Sequence, residues 1–164
     1  KKIKKLTGCD ALKLEGGSEI SKTIKILVRN NMPVMSHIGL QPQKISSKKK
    51  YKVLGKSEGE VKKVIKDLIS IEKAGSFSVV LESVTEKLAN KINKISKIPV
   101  IGIGASNKCD GQILVTEDLL GLFDKLPKFA KKYENLRAKI RKAVKRYYND
   151  VKYRVFPNKN NVYK

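Results

Sequence analysis

Glu15 and Glu82 each close a short apolar run, Ala11-Leu12-Lys13-Leu14-Glu15 and Phe77-Ser78-Val79-Val80-Leu81-Glu82. A strand with a buried body and an ionisable last residue delivers that residue to the carboxyl end of a sheet, where α/β folds gather their chemistry. The pattern reads as an enzyme, with Glu82 as an acid placed for proton transfer near neutral pH. Lys13 and Glu15 stand two apart, so in a strand both point to one face while Leu12 and Leu14 point to the other. An ammonium beside a carboxylate at a strand end suits an ionic ligand; a plain ion pair fits the spacing as well. His37, the only histidine, lies in the run Pro33 to Gly39, where a hydrogen-bonded core imidazole is the commoner arrangement. Glu82 also has a second reading, an acid stabilising the N-terminus of the following helix.

Short apolar runs alternate with longer amphipathic stretches, the signature of βα units around a parallel sheet. Five strands are predicted, at Ala11 to Glu15, Val34 to Ile38, Phe77 to Glu82, Val100 to Ile103 and Ile113 to Val115. Ser57-Glu58-Gly59-Glu60 has capping-box form and opens a helix whose apolar positions Val61, Val64, Ile65, Leu68 and Ile69 recur until Gly75. Ser83-Val84-Thr85-Glu86 repeats that device directly after Glu82, which sets the acid at a βα junction. Thr116 precedes Glu117 and Asp118 as a further helix start, and the longest helix is predicted from about Lys128 to about Asn149. Gln41 to Lys56, with Ser46, Ser47 and the run Lys48 to Lys50, reads as a long loop of the kind that forms lids and rims.

At 164 residues, 40% hydrophobic and 32% charged, the chain can bury a core. Its formal net charge of +22 would ordinarily point to nucleic acid or an anionic membrane. The excess is dispersed lysine, with arginine only at Arg29, Arg137, Arg141, Arg146 and Arg154, so neither nucleic acid nor membrane is expected as the main partner. Cys9 and Cys109 have no Cys-x-x-Cys spacing, consistent with reduced thiols in a cytoplasmic protein. The longest apolar stretch, Ile98 to Ala105, is interrupted by Pro99, Gly102 and Gly104 and is too short to span a bilayer. Gly102, Gly104 and Gly111 do not form the dinucleotide fingerprint. A closed barrel needs eight strands and roughly 250 residues; with five strands and Lys1 in first place, about three βα units are expected to be missing from the N-terminal side.

Together, Leu12 to Gly17, Pro33-Val34-Met35 with His37 to Leu40 and Pro42-Gln43, Tyr51-Lys52-Val53 with Gly55, Val80-Leu81-Glu82, Ile101 to Ala105, and Cys109 to Val115 followed by Asp118 to Leu122 strongly resemble the ketopantoate hydroxymethyltransferase family. The resemblance implies an α/β fold, an incomplete TIM (β/α)8 barrel comprising βα units 4 to 8, with parallel strands and outer helices. Residues 1–155 would be the C-terminal portion of one barrel domain and residues 156–164 a frayed tail. It further implies hydroxymethyl transfer from 5,10-methylenetetrahydrofolate to 3-methyl-2-oxobutanoate through an enolate stabilised by Mg2+. By motif match Glu82 would be the proton acceptor, Lys13 and His37 would contact the substrate, and Glu15 would belong to the metal shell. The family's metal-binding aspartates fall on strands before this chain begins. A homo-oligomer and a separate N-terminal half are the implied protein partners. Ser36, Leu54 and Ser106 stand where the family usually has Gly, Gln and Gly, and Lys49 and Lys50 where its loop commonly has glycines. Two other readings remain open from the sequence: a non-catalytic truncated remnant of the enzyme, and a basic protein binding nucleic acid or a membrane surface.

Overall fold

A computed structural model of the chain describes residues 2–44 and 52–163. It comprises two compact units, Lys1–Ile113 and Leu114–Lys164. The first is built on five parallel strands, β1 (Leu12–Glu15), β2 (Val34–Gly39), β3 (Ser78–Glu82), β4 (Val100–Ile103) and β5 (Gly111–Gln112). Their spatial order is the chain order, β1-β2-β3-β4-β5, with no reversal. The fold is therefore α/β with a parallel sheet. Helices α1 (Lys2–Thr7), α2 (Ser21–Arg29), α3 (Glu58–Ala74) and α4 (Glu86–Ile95) belong to this unit.

Period-two alternation divides the strand residues between two faces. Val34 and Ile38 of β2, Val79 and Leu81 of β3 and Val100 of β4 join Ile24 of α2, Val64, Leu68 and Ile71 of α3, and Leu88 and Ile92 of α4 in one hydrophobic core. That is the helix-covered face. Lys13, Glu15, Met35, His37, Val80, Glu82, Ile101 and Ile103 alternate with these residues and take the opposite face, which the core cluster does not include.

Local chemistry sets the helix ends. The Ser57 hydroxyl accepts from the Glu60 N–H while the Glu60 carboxylate accepts from the Ser57 N–H, the expected capping box, and Gly75 closes α3 at φ 97°. Thr85, not Ser83, caps α4 by accepting from the Leu88 N–H. Ser83 instead makes the turn out of β3 at φ 49°, with its N–H donating to the Ile103 carbonyl. Asp67, buried on α3, accepts from the N–H and hydroxyl of Ser18 and from Lys63 Nζ, which ties the β1–α2 connection to α3.

Three predicted elements move. The last strand is Gly111–Gln112 rather than Ile113 to Val115. The ladder ends where the Ile113 N–H meets the Gly102 carbonyl, leaving Ile113 and Val115 about half exposed. The long helix α6 begins at Leu136 and runs to Lys152, because the Asn135 side chain accepts from the Ala138 N–H and caps it there. The helix begun at Thr116 is a single turn, α5 (Thr116–Leu119). Of the long predicted loop, Pro42–Lys44 is a 3-10 turn, and its Lys48 to Lys50 run lies outside the described residues. No described helix is long and apolar enough to cross a membrane.

Two stability effects follow. Leu68 is fully buried between α3 and the sheet, so Leu68→Ala is expected to cost about 2–5 kcal/mol in urea unfolding; a loss under about 1 kcal/mol would contradict the packing described. The hydrogen bond from Lys52, together with backbone N–H groups of Lys56 and Ser57, pulls the Glu60 carboxyl down from its ordinary 4.5 to about 2. Because folding lowers this pKa, its stabilisation is fully present above the ordinary value and is lost as pH falls through about 2. Glu60→Gln should therefore lower the unfolding midpoint at neutral pH, with a deficit that narrows as acid is added; a deficit constant over that range would contradict it.

Candidate active site

The register of the first three strands fixes which side chains meet. Glu15 pairs with His37 across β1 and β2, and His37 pairs with Val80 on β3. Lys13 is two residues below Glu15 and Glu82 two residues above Val80, so both reach His37 along diagonals, distances that long side chains span. Glu82 itself pairs with Gly39, which brings no side chain to that position. His37 is thus the hub.

The contacts agree with that layout. Lys13 Nζ lies 2.9 Å from His37 Nδ1, Glu15 Oε1 lies 3.7 Å from the same nitrogen, and Glu82 Oε2 lies 3.1 Å from Nε2. The Nε2···Oε2 approach is short but off the hydrogen-bond line, and Nε2 has no hydrogen-bond partner among the described residues. The imidazole side chain is 3% exposed and the Glu82 side chain 10%. Glu15 is turned partly towards the loop after β2, where its Oε2 accepts from the Gln43 N–H. Two carboxylates, one ammonium and one imidazole are therefore gathered on the sheet face opposite the core, beside the apolar side chains of Val80 and Ile103.

Backbone constraints hold Glu82 in place. Its carbonyl accepts from the Leu40 N–H at 2.9 Å. Gly39 has φ +88°, and a Cβ there would stand 2.3 Å from the Glu82 carbonyl oxygen, so glycine is required on both counts. After Ser83, the incoming segment at Leu54 forms a parallel bridge with Val84, with Leu54 N–H donating to the Ser83 carbonyl and Thr85 N–H to that of Leu54. Sequence reasoning missed the roles of Gly39, Gln43 and Ser83. A glycine directly after a strand was a usable signal for the first; backbone contacts of the other two leave no mark in residue type.

The four singled-out side chains, Lys13, Glu15, His37 and Glu82, are brought together. The residues that depart from the family pattern are accommodated: Ser36 and Ser76 hydroxyls share a hydrogen bond of 2.6 Å, and Ser106 donates to Asn90 Oδ1 at 2.6 Å. Lys49 and Lys50 lie outside the described residues. No group of three or more His, Cys, Asp or Glu is placed to hold a metal ion among the described residues.

A parallel α/β sheet presenting acids at its strand ends defines an enzyme-like site. The family model described as ketopantoate hydroxymethyltransferase matches residues 1–159, and the chain belongs to that family. It is 48% identical over 158 residues to 3-methyl-2-oxobutanoate hydroxymethyltransferase of Bartonella henselae, covering 96% of this chain and 58% of that protein. It is 49% identical, with the same coverage, to 3-methyl-2-oxobutanoate hydroxymethyltransferase 2 of Zymomonas mobilis. Against the Sphingopyxis alaskensis enzyme it is 42% identical over 162 residues, 99% of the chain and 56% of the relative. The chain thus spans somewhat more than half the length of the curated relatives it matches.

Gly39→Ala is expected to destabilise the chain by more than about 1 kcal/mol in chemical unfolding and to shift the His37 ring resonances, because the Glu82 backbone must retreat. An unchanged unfolding midpoint with unchanged ring signals would show that the clamp does not exist.

Proposed function

We propose that this chain supplies the proton-transfer side of a hydroxymethyltransferase acting on 3-methyl-2-oxobutanoate, with 5,10-methylenetetrahydrofolate as the one-carbon donor and 2-dehydropantoate as the product of pantothenate biosynthesis. The observation that carries this reading is the convergence of Lys13 with the buried His37 and Glu82 on the sheet face opposite the core, in a member of this family. The unreversed strand order with α2, α3 and α4 packed on one face supports taking the sheet as βα units 4 to 8 of a TIM barrel, whose inner face carries the site. Residues 1–155 are then the C-terminal portion of that one domain, and residues 156–164 its tail.

In this reading Glu82 removes the proton from C3 of the keto acid, beside the carbonyl. As the C–H bond breaks, negative charge moves onto the keto oxygen. The Lys13 ammonium and the His37 ring are the cationic and hydrogen-bonding groups of this chain available to that oxygen, and such preorganised donors stabilise charge as it develops. C3 then bonds to the folate's methylene carbon as one of its two C–N bonds breaks, and water displaces the second nitrogen to supply the product's hydroxyl. Tetrahydrofolate leaves, its two nitrogens taking up the proton held by Glu82 and one from the water. Glu15 would bring one carboxylate to Mg2+. One carboxylate is too poor a donor set for an octahedral, oxygen-seeking cation, so the chain's own residues do not fit a complete magnesium site. The remaining ligands would come from the part of the family enzyme that this chain does not span, and further copies would complete a homo-oligomer.

The test is exchange of the C3 hydrogen of 3-methyl-2-oxobutanoate in D2O with Mg2+, using the chain mixed with an N-terminal half of the family. Exchange is expected, falling about 10²-fold or more in Glu82→Gln. No exchange by the wild-type mixture would favour a non-catalytic remnant, and an unimpaired Glu82→Gln would remove Glu82 as the base.

A further inference from the structure

We infer that Lys13 is a positioning residue that fixes His37 in its Nε2–H tautomer, so that the ring acts as a hydrogen-bond donor beside Glu82 and leaves Glu82 the proton acceptor. The catalytic meaning of this rests on the function proposed above; the tautomer itself does not. A lysine ammonium has three protons to give and no lone pair. In the 2.9 Å contact between Lys13 Nζ and His37 Nδ1, the lone pair must come from Nδ1. A neutral ring with a bare Nδ1 carries its proton on Nε2.

The competing arrangement, Nδ1–H donating to Glu15, is the poorer one. Glu15 Oε1 is 3.7 Å away, beyond hydrogen-bond range, and the other oxygen of that carboxylate is taken by the Gln43 N–H. On the far side of the ring, Nε2 faces the Glu82 oxygen at 3.1 Å. A lone pair on Nε2 would meet the lone pairs of the carboxylate; a proton there meets an acceptor. Nε2 is also buried and lacks an aligned partner. It is therefore a donor held in reserve, able to turn onto Glu82 or onto an oxygen bound between the two side chains. His37 cannot take a proton at a nitrogen that already holds one, which divides the labour between ring and carboxylate.

His37 is the only histidine in the chain, so a long-range 1H–15N correlation spectrum of the 15N-labelled protein reports this one ring. The expected wild-type pattern is a pyridine-type Nδ1 and a pyrrole-type Nε2. Lys13→Met should move both nitrogens towards a tautomer average, and Lys13→Arg, which keeps a donor, should restore the wild-type pattern. A pyrrole-type Nδ1 in the wild type, a doubly protonated ring, or identical spectra for wild type and Lys13→Met would overturn the inference. Should Lys13→Met fail to fold, the wild-type pattern alone decides. The spectrum reads the ring and not turnover, so failure of the exchange assay with the expected tautomer present would refute the function and leave this inference standing.

Discussion

The site depends on strand register. In a parallel ladder every side chain's face and height are fixed by its partner, and a slip of one residue would exchange the two faces of a strand. Here the pairs Glu15 with His37 and Gly39 with Glu82 set two acids, an ammonium and an imidazole on the side opposite the hydrophobic core. The same register sends Val34, Ile38, Val79 and Leu81 into the core. Burying the apolar set is what specifies the polar set, so the free energy that folds the sheet also aims the chemistry.

Register alone would leave the long side chains loose. The surrounding backbone narrows their freedom: Gly39 lies against the Glu82 carbonyl, Leu40 hydrogen-bonds to it, and Ser83 turns sharply in the left-handed region. A non-glycine residue there costs energy that only an over-determined neighbourhood sustains. That neighbourhood is the bridge from Leu54 to Val84 and the Thr85 cap of α4. The result is a carboxylate whose backbone is gripped from β2, β4 and the chain leading into α3.

Much of this was legible in residue order. Strands ending in Glu15 and Glu82 were marked by apolar runs with an acid at the end, and α3 by its capping box and its glycine stop. The face shared by Lys13 and Glu15 followed from their spacing. Contact between these groups and His37 did not follow, because which strand neighbours which, and at what offset, is decided by long-range packing. The same limit explains the misplaced pieces. Ile113 to Val115 has strand-like residues, but pairing ends at Gly102. Phe129 and Tyr133 continue the period of α6, yet Asn135 captures the helix start. Helix α2 was missed, since only Ile24 of its residues is buried and its apolar stripe is short.

The central claim is that Lys13, His37 and Glu82 form one binding and proton-transfer locus. A crystal structure of the chain with 3-methyl-2-oxobutanoate tests it most directly. The account predicts the keto acid at the carboxyl ends of β1 to β3, with an oxygen at Lys13 or His37 and C3 turned towards Glu82. Binding elsewhere, or at this face with C3 turned away from Glu82, would contradict it.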